Sequence, residues 1–76
     1  MKVKVYSTKS CPFCDKVKDF LRENNIEFEE LKVDEDRQAA IKMIQKTGQT
    51  GVPVTEIDGL IVIGFNEPKL RKLLNL

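Results

Sequence analysis

The sequence predicts an α/β domain: a four-stranded mixed sheet with helices on both faces, in the order β-α-β-α-β-β-α. Three observations predict it. An alternating stretch at the N-terminus runs straight into Cys11-Pro12-Phe13-Cys14 and a helical pattern. A second strand pattern is followed by a second helical one over residues 26–47. Asp58-Gly59 then joins two apolar runs, a strong short-range sign of a hairpin. The first two strands flank a helix and are expected to be parallel with a right-handed crossover; the last two are antiparallel. At 76 residues the chain makes one domain, residues 1–76, able to bury a core but without spare elements.

Residues 2–6 alternate Lys, Val, Lys, Val, Tyr, which sets Val3 and Val5 on one face of a strand. The polar stretch Ser7-Thr8-Lys9-Ser10 delivers the chain to the cysteines. From Pro12 to about Asn24, Cys14, Val17, Phe20 and Leu21 recur at helical spacing, and Asn24-Asn25 supplies a stop. Residues 26–33 read as the second strand, but Ile26 and Phe28 are out of phase with Leu31 and Val33. A bulge or a strand covered on both faces would account for the slip. Asp34-Glu35-Asp36 places acidic residues at a helix start, where the dipole favours them. Ala39, Ala40, Met43 and Ile44 then mark the buried side of a helix ending near Thr47-Gly48. Gln49 to Val52 is a loop, Pro53 opens the third strand, Val54 to Ile57, and Leu60 to Ile63 is the fourth. Asn66 is placed to cap a last helix bearing Leu70, Leu73 and Leu74.

Composition excludes several classes of function. Hydrophobic residues at 41% beside charged residues at 33% describe a globular balance rather than a disordered chain. The net charge of +1, with both signs spread along the chain, offers no face to nucleic acid. No run of about 18 apolar residues is present to span a membrane. The N-terminal alternation lacks the apolar stretch of a signal peptide, so a cytoplasmic protein is expected. In that compartment thiols are kept reduced, and a lone Cys-x-x-Cys reads as catalytic rather than as a staple.

The two cysteines are the only ones in the chain, and their setting specifies chemistry. Proline is favoured at the first helical position, where its missing N–H would find no partner anyway. With Pro12 there, Cys11 becomes the N-cap and its sulfur lies where a capping group accepts the N–H groups of Phe13 and Cys14. A thiolate accepts such bonds better than a thiol, and the helix dipole favours the anion, so Cys11 is the expected nucleophile. Cys14, one turn on, is less exposed and within reach of a disulfide, as the resolving thiol. Zinc wants about four ligands, and the chain has no third Cys and no His, so no metal is expected within one chain. A purely structural bridge would close too short a loop to remove much unfolded-state entropy. A cation near Cys11 would favour the thiolate, but Lys9 and Lys16 read first as solvated lysines; Tyr6 and Phe13 are candidates for an apolar rim, Tyr6 being equally readable as a strand residue alone.

With Cys-Pro-Phe-Cys after the first strand, Gly51-Val52-Pro53 before the third and Gly64-Phe65-Asn66 before the last helix, the chain resembles a glutaredoxin of the thioredoxin superfamily over essentially its whole length. The resemblance implies a thioredoxin-like fold and a thiol–disulfide oxidoreductase acting on protein disulfides or mixed disulfides, with Cys11 and Cys14 as catalytic pair. It implies that Pro53 is cis and faces the cysteines, so that the backbone of Val52 is offered to an extended peptide or to glutathione. Pro12, Phe13, Gly51, Val52, Pro53, Gly64, Phe65 and Asn66 are then the expected substrate-binding residues.

Two departures bear on the electron source. Many glutathione-using members carry Thr before Val-Pro, where this chain has Gly51, and a Gly-Gly-x-Asp-like segment where it has Gly64-Phe65-Asn66-Glu67. Gly-Phe in this place also resembles glutaredoxin-like hydrogen donors recharged by thioredoxin reductase. The expectation is therefore a monomer without tightly bound cofactor, drawing on thioredoxin reductase or on glutathione as co-substrate. Two other classes compete: an iron–sulfur or metal carrier using Cys11 across a dimer, and a non-catalytic binding scaffold.

Overall fold

The computed structural model describes residues 1–76. Its elements are β1 (Val3–Ser7), α1 (Pro12–Glu23), β2 (Glu29–Lys32), α2 (Arg37–Thr47), β3 (Val54–Ile57), β4 (Leu60–Ile63) and α3 (Glu67–Leu74). The strands form one sheet in the order β2-β1-β3-β4, with β1 and β2 parallel and the other neighbours antiparallel. Thus the mixed four-stranded sheet expected from the sequence is the one observed.

Alternation along the strands divides the core into two clusters. Val3, Val5, Ile57 and Val62 meet Val17, Phe20 and Leu21 of α1 and Leu70 and Leu74 of α3 on one face. Tyr6 and Val54 meet Ala39 and Met43 of α2 on the other. Helices therefore cover both faces, and each cluster excludes apolar surface from water, the main term favouring the fold.

Three local expectations are corrected. The second strand spans Glu29–Lys32, not 26–33. Ile26 and Phe28 precede it and pack on the α1 and α3 cluster, whereas Leu31 and Val33 pack on the α2 cluster. The phase slip thus marks a segment covered on both faces, not a bulge. Ile44 is 42% exposed and Ala40 only half-buried, because α2 turns a narrow stripe, Ala39 and Met43, to the sheet. Tyr6 is buried among the α2 cluster and lends no surface to the cysteine site.

The helix ends follow their sequence signals. Asp36 caps α2 by accepting the Ala39 N–H at 3.2 Å, and Asn66 caps α3 by accepting the Lys69 N–H at 3.2 Å. Gly48 closes α2 with φ of 72°, a left-handed turn that favours glycine.

Candidate active site

The sheet register gathers the site. Tyr6 lies opposite Val54, and Val54 opposite Ile63. The next step along each strand brings Ser7, Pro53 and Gly64 to one end of the sheet, with the Cys11 loop following Ser7. The Gly64 N–H donates to the Pro53 carbonyl at 2.8 Å and ties the segment before α3 to the Val-Pro turn. The Val52-Pro53 peptide bond is cis, with Pro53 buried and Val52 half-buried.

Cys11 is the N-cap of α1, with extended backbone (φ −134°, ψ 98°). Its Sγ accepts the Cys14 N–H at 3.1 Å; the Phe13 N–H does not share the bond. Pro12 occupies the first turn, and the two sulfurs are joined in a disulfide with Cα atoms 5.2 Å apart. Cys11 is half-buried, whereas Cys14 is fully buried. The pair is thus asymmetric: Cys11 is partly exposed at the positive end of a helix, and Cys14 is enclosed.

Around this pair the predicted residues divide. Pro12 and Phe13 are exposed, and Lys16 places its Nζ 5.1 Å from the Phe13 ring centroid, a cation–π contact. Gly51 is exposed, its N–H donating to Gln49 Oε1 at 2.6 Å and its carbonyl accepting from Gln49 Nε2 at 3.0 Å. The Gln49 side chain therefore braces the loop before Val52. Phe65 packs against the core with its ring 6.2 Å from that of Phe20, edge to face. Asn66 spends its side-chain oxygen on its own helix.

Sequence reading missed two contributions from residues far away in the chain. Asp34 Oδ2 accepts the Lys9 N–H at 3.0 Å and anchors the loop that precedes Cys11. Beneath α1, Glu30 Oε2 accepts both the Ser7 hydroxyl and Lys18 Nζ, each at 2.8 Å. Lys18 also lies 3.6 Å from Asp15 Oδ1. The hydrogen bond from Lys18, and then that from Ser7, holds the Glu30 carboxyl below its usual range. The same bond to Glu30 pushes the Lys18 ammonium upward. A polar Ser7 and an unremarkable Glu30 gave no local sign of this, because the contact spans 23 residues and depends on the parallel register that sets Glu30 beside Val5.

No group of three or more His, Cys, Asp or Glu side chains is placed to hold a metal ion. No helix is long and apolar enough to cross a membrane.

A mixed sheet of this order, with a cysteine pair opening α1 and a cis-proline turn at the same end, is a thioredoxin-like fold of the redox type. The chain belongs to the glutaredoxin family: that family's model matches residues 3–62. It is 42% identical over 72 residues to an uncharacterized glutaredoxin-like 8.6 kDa protein in the rubredoxin operon of Clostridium pasteurianum, covering 95% of this chain and 96% of that protein. It is 37% identical over 71 residues to the glutaredoxin-like protein NrdH of Lactococcus lactis, covering 93% and 97% respectively. The crystal structure of the thioredoxin-like protein BC3987 superposes with a TM-score of 0.90 at 38% identity, covering 95% of this chain and 99% of that one.

Proposed function

We propose that the chain is a dithiol thiol–disulfide oxidoreductase that reduces protein disulfides or mixed disulfides. The observation that carries this reading is the Cys11 sulfur at the N-cap of α1, accepting the Cys14 N–H. In the reduced protein the same donor and the helix dipole favour the Cys11 thiolate, the form that attacks. Cys11 attacks one substrate sulfur, expels the other as a thiolate and forms a mixed disulfide. Cys14 then attacks the Cys11 sulfur, releasing the second substrate thiol and leaving the intramolecular disulfide. Phe13, Pro12 and Val52 supply the surface on which an extended substrate lies, with the Val52 backbone as its pairing edge.

The groups near the turn favour a flavoenzyme such as thioredoxin reductase over glutathione as electron source. Glutathione carries two carboxylates, which want helix N-termini and fixed cations or hydroxyls. Here Gly51 has no hydroxyl, Gln49 is engaged with Gly51, and Asn66 is engaged in its own cap. Glu67 pairs with Arg71 at 2.9 Å on the surface. A coupled assay comparing thioredoxin reductase with glutathione plus its reductase tests this. Efficient, saturable turnover at low glutathione with none from the flavoenzyme would overturn the choice of reductant.

The cysteine assignment is tested separately by alkylation rate against pH on the Cys14→Ser and Cys11→Ser variants. Cys11 is expected to react faster at neutral pH, and a faster Cys14 would reverse the roles. The carrier reading requires sulfur from a second chain. A coloured dimer on fresh purification would support it in place of the dithiol reaction.

A further inference from the structure

We infer that Gln49 is a positioning residue for the Val52 edge: its side-chain amide clasps the backbone of Gly51, and Gly51 is glycine to make room for that amide. This rests on the reading above in which Val52 pairs with an extended substrate.

The segment between α2 and β3 is fixed at both ends. At one end the Thr47 hydroxyl donates to the Met43 carbonyl at 2.7 Å and accepts the Gln49 N–H at 3.3 Å, which ties Gln49 to the last turn of α2. At the other end the Pro53 carbonyl accepts the Gly64 N–H at 2.8 Å. Between them, the backbone of Thr50, Gly51 and Val52 makes no hydrogen bond except the two that Gly51 exchanges with the Gln49 side chain. The Gly51 N–H donates to Gln49 Oε1 at 2.6 Å, and Gln49 Nε2 donates to the Gly51 carbonyl at 3.0 Å. A primary amide holds its acceptor and its donors side by side, so it serves Gly51 as a neighbouring strand would. Val52, the next residue, keeps its own N–H and carbonyl free for a substrate.

The absent side chain of Gly51 is a second, independent observation. The glycines with positive φ are Gly48, Gly59 and Gly64, so Gly51 is not glycine for the sake of a left-handed backbone. A Cβ at Gly51 would lie 2.7 Å from Gln49 Oε1, too close for both to stay, and would crowd nothing beyond the Gln49 side chain. The obstacle is the tip of a flexible, half-buried side chain. A Cβ there is therefore tolerated by the fold and opens only the clasp.

An unbraced loop has to be ordered at each encounter, and that entropy is subtracted from binding. The clasp has already ordered this one. Its benefit reaches only substrates with a peptide backbone for Val52 to hold; a small disulfide without peptide groups makes no use of it.

The test mixes the full-length reduced protein with one of three substrates. These are an extended peptide whose cysteine carries a mixed disulfide, the same peptide N-methylated at that cysteine and both neighbours, and hydroxyethyl disulfide. In each reaction the dithiol is oxidised to its intramolecular disulfide and the substrate disulfide is reduced to two thiols, read by quenched alkylation and mass. Gln49→Ala and Gly51→Ala should each slow the reaction with the unmethylated peptide about tenfold and leave that with hydroxyethyl disulfide unchanged. Gln49→Met fills the same space without the hydrogen bonds and should match Gln49→Ala. The double variant, Gln49→Ala with Gly51→Ala, should be no slower than either single one, because both changes remove the same contact. Wild-type rates in any single variant, additive losses in the double variant, or equal slowing toward hydroxyethyl disulfide would each overturn the inference. A wild-type protein that reacts equally fast with the methylated peptide would instead refute the Val52 pairing, and one that reacts with none of the three would refute the dithiol reading.

Discussion

Thr55 is fully buried in β3, yet its Oγ1 has no hydrogen-bond partner in the protein. A buried hydroxyl without a partner carries a desolvation cost, whereas valine has nearly the same shape and a strand-favouring branch. Thr55→Val should therefore raise stability by about 1 kcal/mol, read as a higher urea midpoint at unchanged slope. A lower midpoint would show that the hydroxyl is satisfied in solution. The capping residues run the other way. Asp36→Ala and Asn66→Ala each remove the acceptor of one helix-end N–H and should cost about 1 kcal/mol. At this scale the sequence was readable wherever the partner is three or four residues away. Cys11 as N-cap, Asn66 as N-cap and Asp58-Gly59 as turn depend only on neighbours along the chain. Asp34 was not, because its partner, the Lys9 N–H, lies 25 residues earlier.

Among the elements, α1 carries both the cysteines and a third of the larger cluster, so its packing positions the chemistry. Leu21 is fully buried where α1 meets β1 and α3. Leu21→Ala should destabilise the protein by about 2–5 kcal/mol, with the spread set by how far the cavity collapses. The outer side of α2 offers the contrast, since Ile44 is 42% exposed. Ile44→Ala should stay within about 1 kcal/mol, measured by the same urea titration. A large loss at Ile44 would restore the wider buried stripe read from periodicity. That stripe failed because period alone does not say how much of a helix face its neighbour covers. The second strand failed for a related reason: apolar residues that pack from a loop look like strand residues in a one-dimensional pattern.

At the scale of the whole molecule, the Lys18–Glu30 pair couples stability to pH. Glu30 has its folded value below the ordinary 4.5, so its contribution is complete above that value and is lost as pH falls through the lower, folded one. Lys18 has its folded value above 10.5, so its contribution is complete below 10.5 and is lost as pH climbs through the higher, folded one. Glu30→Gln should lower stability at neutral pH, and the gap from wild type should close on acidification below about pH 4.5. Urea midpoints of both proteins at pH 7 and pH 3 check this. A gap that persists unchanged at pH 3 would mean that Glu30 acts through packing rather than charge.

The sequence by itself determined the order of elements, the two-sided layering, the asymmetry of Cys11 and Cys14, and the helix ends. Each depends on side-chain period, on capping or on a turn, and all of these act over a few residues. Only the tertiary structure decided that Glu30 lies under α1 with Lys18 and Ser7, and that Gly64 is bonded to Pro53. It also decided that Tyr6 belongs to the α2 core. Those facts follow from the parallel register of β1 on β2 and the antiparallel register of β3 on both its neighbours. Strand register is set by how the two apolar faces close against their helices, a property of the whole chain that no short window contains.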